Sequence, residues 1–229
     1  METLVTLKVS IVLHLIMADI DTGIRIKESA RSLYMKYGLR SVSMDDIAGN
    51  LGISKKTIYH FYADKDELIA AVINDELNHN QHTCEQDRKA ADNAVHEIFL
   101  AMDMMMELFS TMNPSLIYDM QKYHPLAFQK FQLHKNEFLY NVIRENMLRG
   151  ITEGLYRENI NIEILARYRV ESMMIPFHPE FHRKLKYNLA SLEEELIVHF
   201  MYGLSSPKGY KLITKYQQQR IKMSNDGTI

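Results

Sequence analysis

The chain has 229 residues, 46% of them hydrophobic, which supports a real core and excludes a disordered chain. Its net charge of −2 gives no overall basic signal for a nucleic-acid partner, so any such partner has to be read from local placement. The single cysteine, Cys84, excludes an intramolecular disulfide and fits the cytoplasm, and no apolar run approaches the ~20 residues of a membrane span.

Residues 1–19 form an N-terminal extension. The run METLVTLKVSIVLHLIM is apolar but is broken by Lys8 and His14, and it lacks the basic start and small-residue cleavage site of a signal peptide. The preferred reading is that the true start is Met17; the alternative is an extra, loosely packed helix. From about Thr22 to Tyr37 the apolar residues Ile26, Ala30, Leu33, Tyr34 and Tyr37 share one helical stripe, and Gly38 closes that helix.

The most informative stretch is Ser43 to Tyr62, SMDDIAGNLGISKKTIYHFY. Ser43 is an N-cap candidate with Asp46 at capping-box spacing. Ile47, Ala48 and Leu51 repeat at helical spacing, and Gly52 ends the helix in the left-handed conformation that glycine adopts without steric cost. Ser54 can cap the next helix, Lys55 to Tyr62, which turns Ile58 and Phe61 inward. Its outward residues are Lys55, Lys56, Thr57, Tyr59, His60 and Tyr62. All are hydrogen-bond donors and none is acidic, which suits a helix in a DNA major groove. The competing reading is a solvated surface helix. Residues 21–70 hold eight Lys/Arg against seven acids. Arg40, Lys55, Lys56 and Lys65 cluster around the outward face, and Asp45, Asp46 and Glu67 lie in first turns, where the helix dipole favours acids.

Residues about 22 to 77 resemble the DNA-binding domain of the TetR (tetracycline repressor) family. The resemblance is carried by Gly38-Leu39-Arg40-Ser41-Val42-Ser43, Asp46-Ile47-Ala48, Gly52 through Phe61, and Lys65-Asp66-Glu67-Leu68. It implies a three-helix DNA-binding domain over 20–80 and a helical effector-binding and dimerisation domain over 81–210, in an all-α chain. It further implies a cytoplasmic homodimer that binds double-stranded DNA at a palindromic operator and responds to a small-molecule effector. By the same resemblance, DNA would be contacted by Ser43, Lys55, Lys56, Thr57, Tyr59, His60 and Lys65.

Asp64 caps a fourth helix with Glu67 at its third position, and Leu68, Ile69, Val72, Ile73 and Leu77 form its buried stripe. The polar run from His79 to Asp92 reads as a helix end plus linker. His79, His82 and Cys84 match no common zinc spacing, so no metal is expected; no cofactor is implied either. Further helices follow around Val95–Phe109, after Pro114, on a long stretch from Phe128 to Gly150, after an Asn161 cap, and from about Leu185 to Leu204. Residues 211–229 read as a polar, frayed tail, with room for one short helix through Lys211 to Lys222.

The second part is rich in methionine and aromatic side chains. The resemblance implies a pocket there, with Met102, Met106, Phe109, Tyr118, Phe128, Phe131 and Met173 as candidate lining; core filling is the alternative for each. The dimer-forming pair would be the helices near 161–174 and 185–204, through Leu165, Leu189, Leu192, Leu196, Ile197, Phe200 and Met201. His124, Arg157 and Arg167 read as surface salt-bridging groups, with polar groups of the pocket as the alternative. An enzyme built on His178, Glu180 and His182 lacks any nucleophile–base–orienter arrangement, so no catalytic residue is assigned. The remaining alternative is a helical ligand-binding or interaction module whose DNA-binding head has lost function.

Overall fold

The computed structural model describes residues 2–178 and 187–225, with backbone alone for 2–16, 18 and 223–225. Among the described residues every regular element is helical. The one β-type contact is an isolated antiparallel bridge between Tyr156 and Ser205. The helices are α1 (Glu2–Tyr37), α2 (Met44–Leu51), α3 (Lys55–Phe61), α4 (Lys65–Ala90), α5 (Ala94–Thr111), α6 (Leu116–Tyr123), α7 (Pro125–Leu133), α8 (Tyr140–Thr152), α9 (Ile162–Ser172), α10 (Leu189–Leu204) and α11 (Pro207–Asn225). A π-helical turn (His134–Leu139) joins α7 to α8, and a 3-10 turn (Ile175–Phe177) follows α9.

The chain divides into two compact units. The first comprises residues 1–75 and 115–128. Its core is a set of stripes at helical spacing: Ile26, Ala30 and Tyr34 of α1, Met44, Ile47 and Ala48 of α2, Ile58 of α3, and Leu68, Ile69 and Val72 of α4. Burying one such aliphatic side chain contributes roughly 1.5–3 kcal/mol over leaving it exposed. Leu116, Ile117 and Met120 bury one face of α6 in the same unit. Tyr37, expected on the buried stripe, is instead half exposed. α1 starts at Glu2 rather than near Thr22, because residues 2–22 contain neither glycine nor proline to stop a helix.

The second unit comprises residues 76–114 and 129–229. Its core joins Val95, Phe99 and Met102 of α5, Met147 of α8, Tyr156, Ala166 of α9, and Ile197 and Met201 of α10. Two expectations are corrected here. The run from His79 to Ala90 is not a linker but continues α4, whose last turn carries Arg88 and Lys89 in favourable register with the dipole. The short helix expected over Lys211 to Lys222 is longer, running from Pro207 to Asn225 as α11, and it is docked rather than frayed, with Ile213 fully buried in the core cluster. Gly209 permits this docking, since a Cβ there would stand 2.0 Å from the Leu155 carbonyl oxygen. The last main helix begins at Leu189, capped by Asn188, whose Oδ1 accepts from Ser191 N at 2.8 Å. Its expected start at Leu185 lies outside the described residues, as do Glu180 and His182.

Candidate nucleic-acid interface

The helix-turn-helix is set by local chemistry. The Ser43 hydroxyl accepts from Asp46 N at 3.2 Å, and the Asp46 carboxylate takes Ser43 N–H at 2.7 Å, so two orphan amides of α2 are satisfied reciprocally. The Ser43 hydroxyl also lies 2.6 Å from Asp46 Oδ2, and its hydrogen bond to the carboxylate, with that of Ser43 N–H, holds the Asp46 carboxyl below its ordinary range. Gly52 sits at φ +65°, and its N–H returns to α2. Ser54 then caps α3, accepting from Thr57 N at 3.1 Å and exchanging a hydrogen bond with the Thr57 hydroxyl at 2.8 Å.

With Ile58 fully buried, α3 leaves Lys55, Lys56, Tyr59 and His60 exposed and Thr57 half-buried. Tyr59 is 44% exposed, and the Lys55 ammonium lies 6.0 Å from its ring centre. Lys55 also donates to Asp45 Oδ2 at 2.8 Å. That bond raises the ammonium's pKa. An exposed pair of this kind is weak and is screened by salt, so a phosphate can displace the carboxylate. Tyr62 departs from the outward face: it is half-buried and its hydroxyl donates to the Gly23 carbonyl at 3.3 Å.

Two further residues read as DNA contacts stand at helix starts, Ser43 in its capping box and Lys65 at the start of α4. Lys65 Nζ donates to the Leu39 carbonyl at 2.6 Å, and partial burial lowers its pKa. Its ammonium therefore braces the α1–α2 turn. The α4 start is capped as its sequence predicts, with Glu67 N donating to Asp64 Oδ1 at 2.8 Å and Ala63 N to Glu67 Oε2 at 2.6 Å.

The seven pocket candidates do not form one set. Met102 and Phe109 are buried in the second unit, and Met106, Phe131 and Met173 are partly buried there. Tyr118 and Phe128 belong to the first unit, and Tyr118 is 45% exposed. Of the residues read as surface salt-bridging, His124 is buried and its Nδ1 lies 2.7 Å from Asp66 Oδ1. Arg157 donates to the Gly203 carbonyl, and the Arg167 guanidinium lies 4.3 Å from the Tyr140 ring centre. Sequence reasoning missed that α6 belongs with the helix-turn-helix; no local pattern announces it.

Residues 26–72 match the family model of bacterial regulatory proteins, tetR family. Over 170 residues the chain is 23% identical to YvaF, an HTH-type transcriptional regulator of Bacillus subtilis, covering 72% of this chain and 87% of that one. The fold is similar to a TetR-family regulator from Agrobacterium tumefaciens, with a TM-score of 0.67 at 15% identity, covering 82% of this chain and all of the other. It is also similar to the regulator FadR of Bacillus subtilis, solved in complex with stearoyl-CoA, with a TM-score of 0.58 at 15% identity over 79% of this chain and 98% of that one. The capped helix-turn-helix and the match across it make residues 26–72 a tetR-family DNA-binding segment, set in a helical fold similar to that of TetR-family transcriptional regulators.

Proposed function

We propose that the chain is a ligand-responsive repressor that acts as a cytoplasmic homodimer on a palindromic operator. The observation that carries this reading is the exposed, acid-free face of α3, held outward by the Ser54 cap and the buried Ile58. Lys55, Lys56, Thr57, Tyr59 and His60 would contact bases and phosphates, with Ser43 and Lys65 at the flanking helix starts. A seven-residue helix spans few base pairs, so two copies are needed to read a site long enough to be selective.

The helices α9 and α10, with the residues that flank them, would form the dimer. Support comes from the exposed apolar side chains Ile164 (64%), Tyr168 (50%) and Tyr187 (62%). The residues first expected at the interface serve mainly inside the chain: Leu189, Leu192, Ile197, Phe200 and Met201 are buried within it, and Leu165 and Leu196 are partly buried. The effector would be an apolar small molecule bound among Met102, Met106, Phe109 and Met173 of the 81–210 domain. The presence of stearoyl-CoA in the similar FadR structure supports that class. Binding would shift the population from DNA-competent to DNA-incompetent dimers.

The test is a gel-shift titration with duplexes selected from random DNA by the protein itself, at two salt concentrations. Saturable binding to a palindrome that weakens with salt supports the reading. A chain that enriches no sequence has a head without recognition function.

A further inference from the structure

We propose that the DNA-contacting surface extends beyond the helix-turn-helix onto α6, where Lys122 and Tyr123, together with Arg40 of the α1–α2 turn, form a flank that binds the phosphate backbone. This rests on the reading of α3 as the recognition helix.

Three segments of the first unit meet within a few residues. Lys65, the first residue of α4, donates to the Leu39 carbonyl at 2.6 Å. The next residue along the turn, Arg40, donates its backbone N–H to Asp119 Oδ2 of α6 at 3.4 Å, and its guanidinium lies 5.5 Å from the Tyr123 ring centre. His124, directly after α6, reaches Asp66 in the first turn of α4 at 2.7 Å. The turn after α1, the start of α4 and the end of α6 are therefore neighbours. The start of α4 is one of the places where amides and the helix dipole favour a phosphate.

The charges at this junction are sorted. The acids are engaged: Asp119 is buried and accepts from Arg40 N–H and from the Ser115 hydroxyl at 3.1 Å, and Asp66 holds His124. The cations rest on rings instead. Lys122 lies 5.6 Å from the Tyr118 ring centre and 5.3 Å from that of Tyr123, and its ammonium donates to the Tyr118 hydroxyl at 3.3 Å. An aromatic face leaves a cation's charge unopposed, whereas the carboxylate of Asp45 offsets the charge of Lys55. Arg40, Lys122, Tyr118 (45%) and Tyr123 (38%) are all exposed. Exposed arginine, lysine and tyrosine hydroxyl groups are donors that suit phosphate oxygens, and they read no bases.

The test measures affinity against salt for the native chain, Arg40→Gln, Lys122→Gln, the double variant and Lys122→Arg. Each is titrated with a short random-sequence duplex and with the selected site. Losing one phosphate contact lowers the slope of log affinity against log salt by about 0.9. Each substitution removes two contacts from a dimer, so the double variant should lose about 3.6 from the slope and weaken by the same factor on both duplexes, while Lys122→Arg keeps the native slope. Should the double variant melt early, each single variant carries the test with a loss of about 1.8 from the slope of the dimer. Native slopes in the variants, with native binding intact, overturn the inference alone. Failure of the native chain to bind either duplex overturns the recognition-helix reading and this inference with it.

Discussion

His124 Nδ1 stands 2.7 Å from Asp66 Oδ1, tying the residue that ends α6 to the first turn of α4 across 58 positions of sequence. The imidazole is nearly enclosed, with a side-chain exposure of 10%, while that of Asp66 is 59%. A hydrogen bond to a charged partner of this kind contributes about 1.5–3 kcal/mol. His124→Ala should therefore destabilise the chain by about 2 kcal/mol in urea unfolding. A double-mutant cycle with Asp66→Ala should return a coupling of about 1 kcal/mol; zero coupling would mean that the contact does not hold α6.

The Lys55–Asp45 pair tempers the charge of the recognition face. Asp45→Asn removes the carboxylate and frees the ammonium, so DNA binding should tighten several-fold and its salt dependence should steepen. Lys56→Ala should weaken binding and, where Lys56 touches a base, relax selection at one position. A competition gel shift over single-base operator variants checks both; unchanged affinity in Asp45→Asn would place Lys55 away from the phosphates.

His134 lies in the π-helical turn, with Nε2 2.8 Å from Asn80 Oδ1. Burial lowers its pKa to about 4, so the ring is neutral at pH 7. Because the folded pKa lies below the unfolded value near 6.5, the neutral ring contributes stability above pH 6.5 that is lost as pH falls towards 4. Urea midpoints at pH 7 and pH 5 should therefore drop more for the native chain than for His134→Gln. Equal drops would assign the acid sensitivity elsewhere.

Arg169 donates to Glu193 and to the Ser172 hydroxyl, and Glu193 is fully buried with its Oε2 unpartnered. Burial raises the Glu193 carboxyl above its ordinary range, and Arg169 opposes that shift. Arg169→Met leaves an uncompensated buried acid and should cost about 3–5 kcal/mol. Adding Glu193→Leu should recover most of it, as measured by chemical unfolding; no recovery would show that the arginine acts by packing alone.

Gly209→Ala drives a Cβ against the backbone at Leu155, which cannot swing aside as a side chain can. The expected loss is about 3 kcal/mol, with a lower thermal midpoint. An unchanged midpoint would mean that α11 does not dock where Ile213 enters the core.

The sequence by itself determined what lies within one helical turn. Ser43 with Asp46, Ser54 with Thr57, Asp64 with Glu67 and Asn161 with Ile164 are pairs three residues apart, so their hydrogen bonds follow from chain geometry once a helix forms. Gly52 is legible for the same reason, because only its own φ decides it. The outward face of α3 followed from these caps, with Tyr62 the exception: its hydroxyl finds the Gly23 carbonyl 39 positions away. Only the tertiary structure decided that the Lys65 ammonium serves the Leu39 carbonyl, that Asp119 receives the Arg40 amide across 79 positions, and that Ile213 is core rather than tail. A polar or isolated apolar residue has no local partner to announce its role. Its place is fixed by which helix faces pack together, and that choice is made by burial summed over the whole unit.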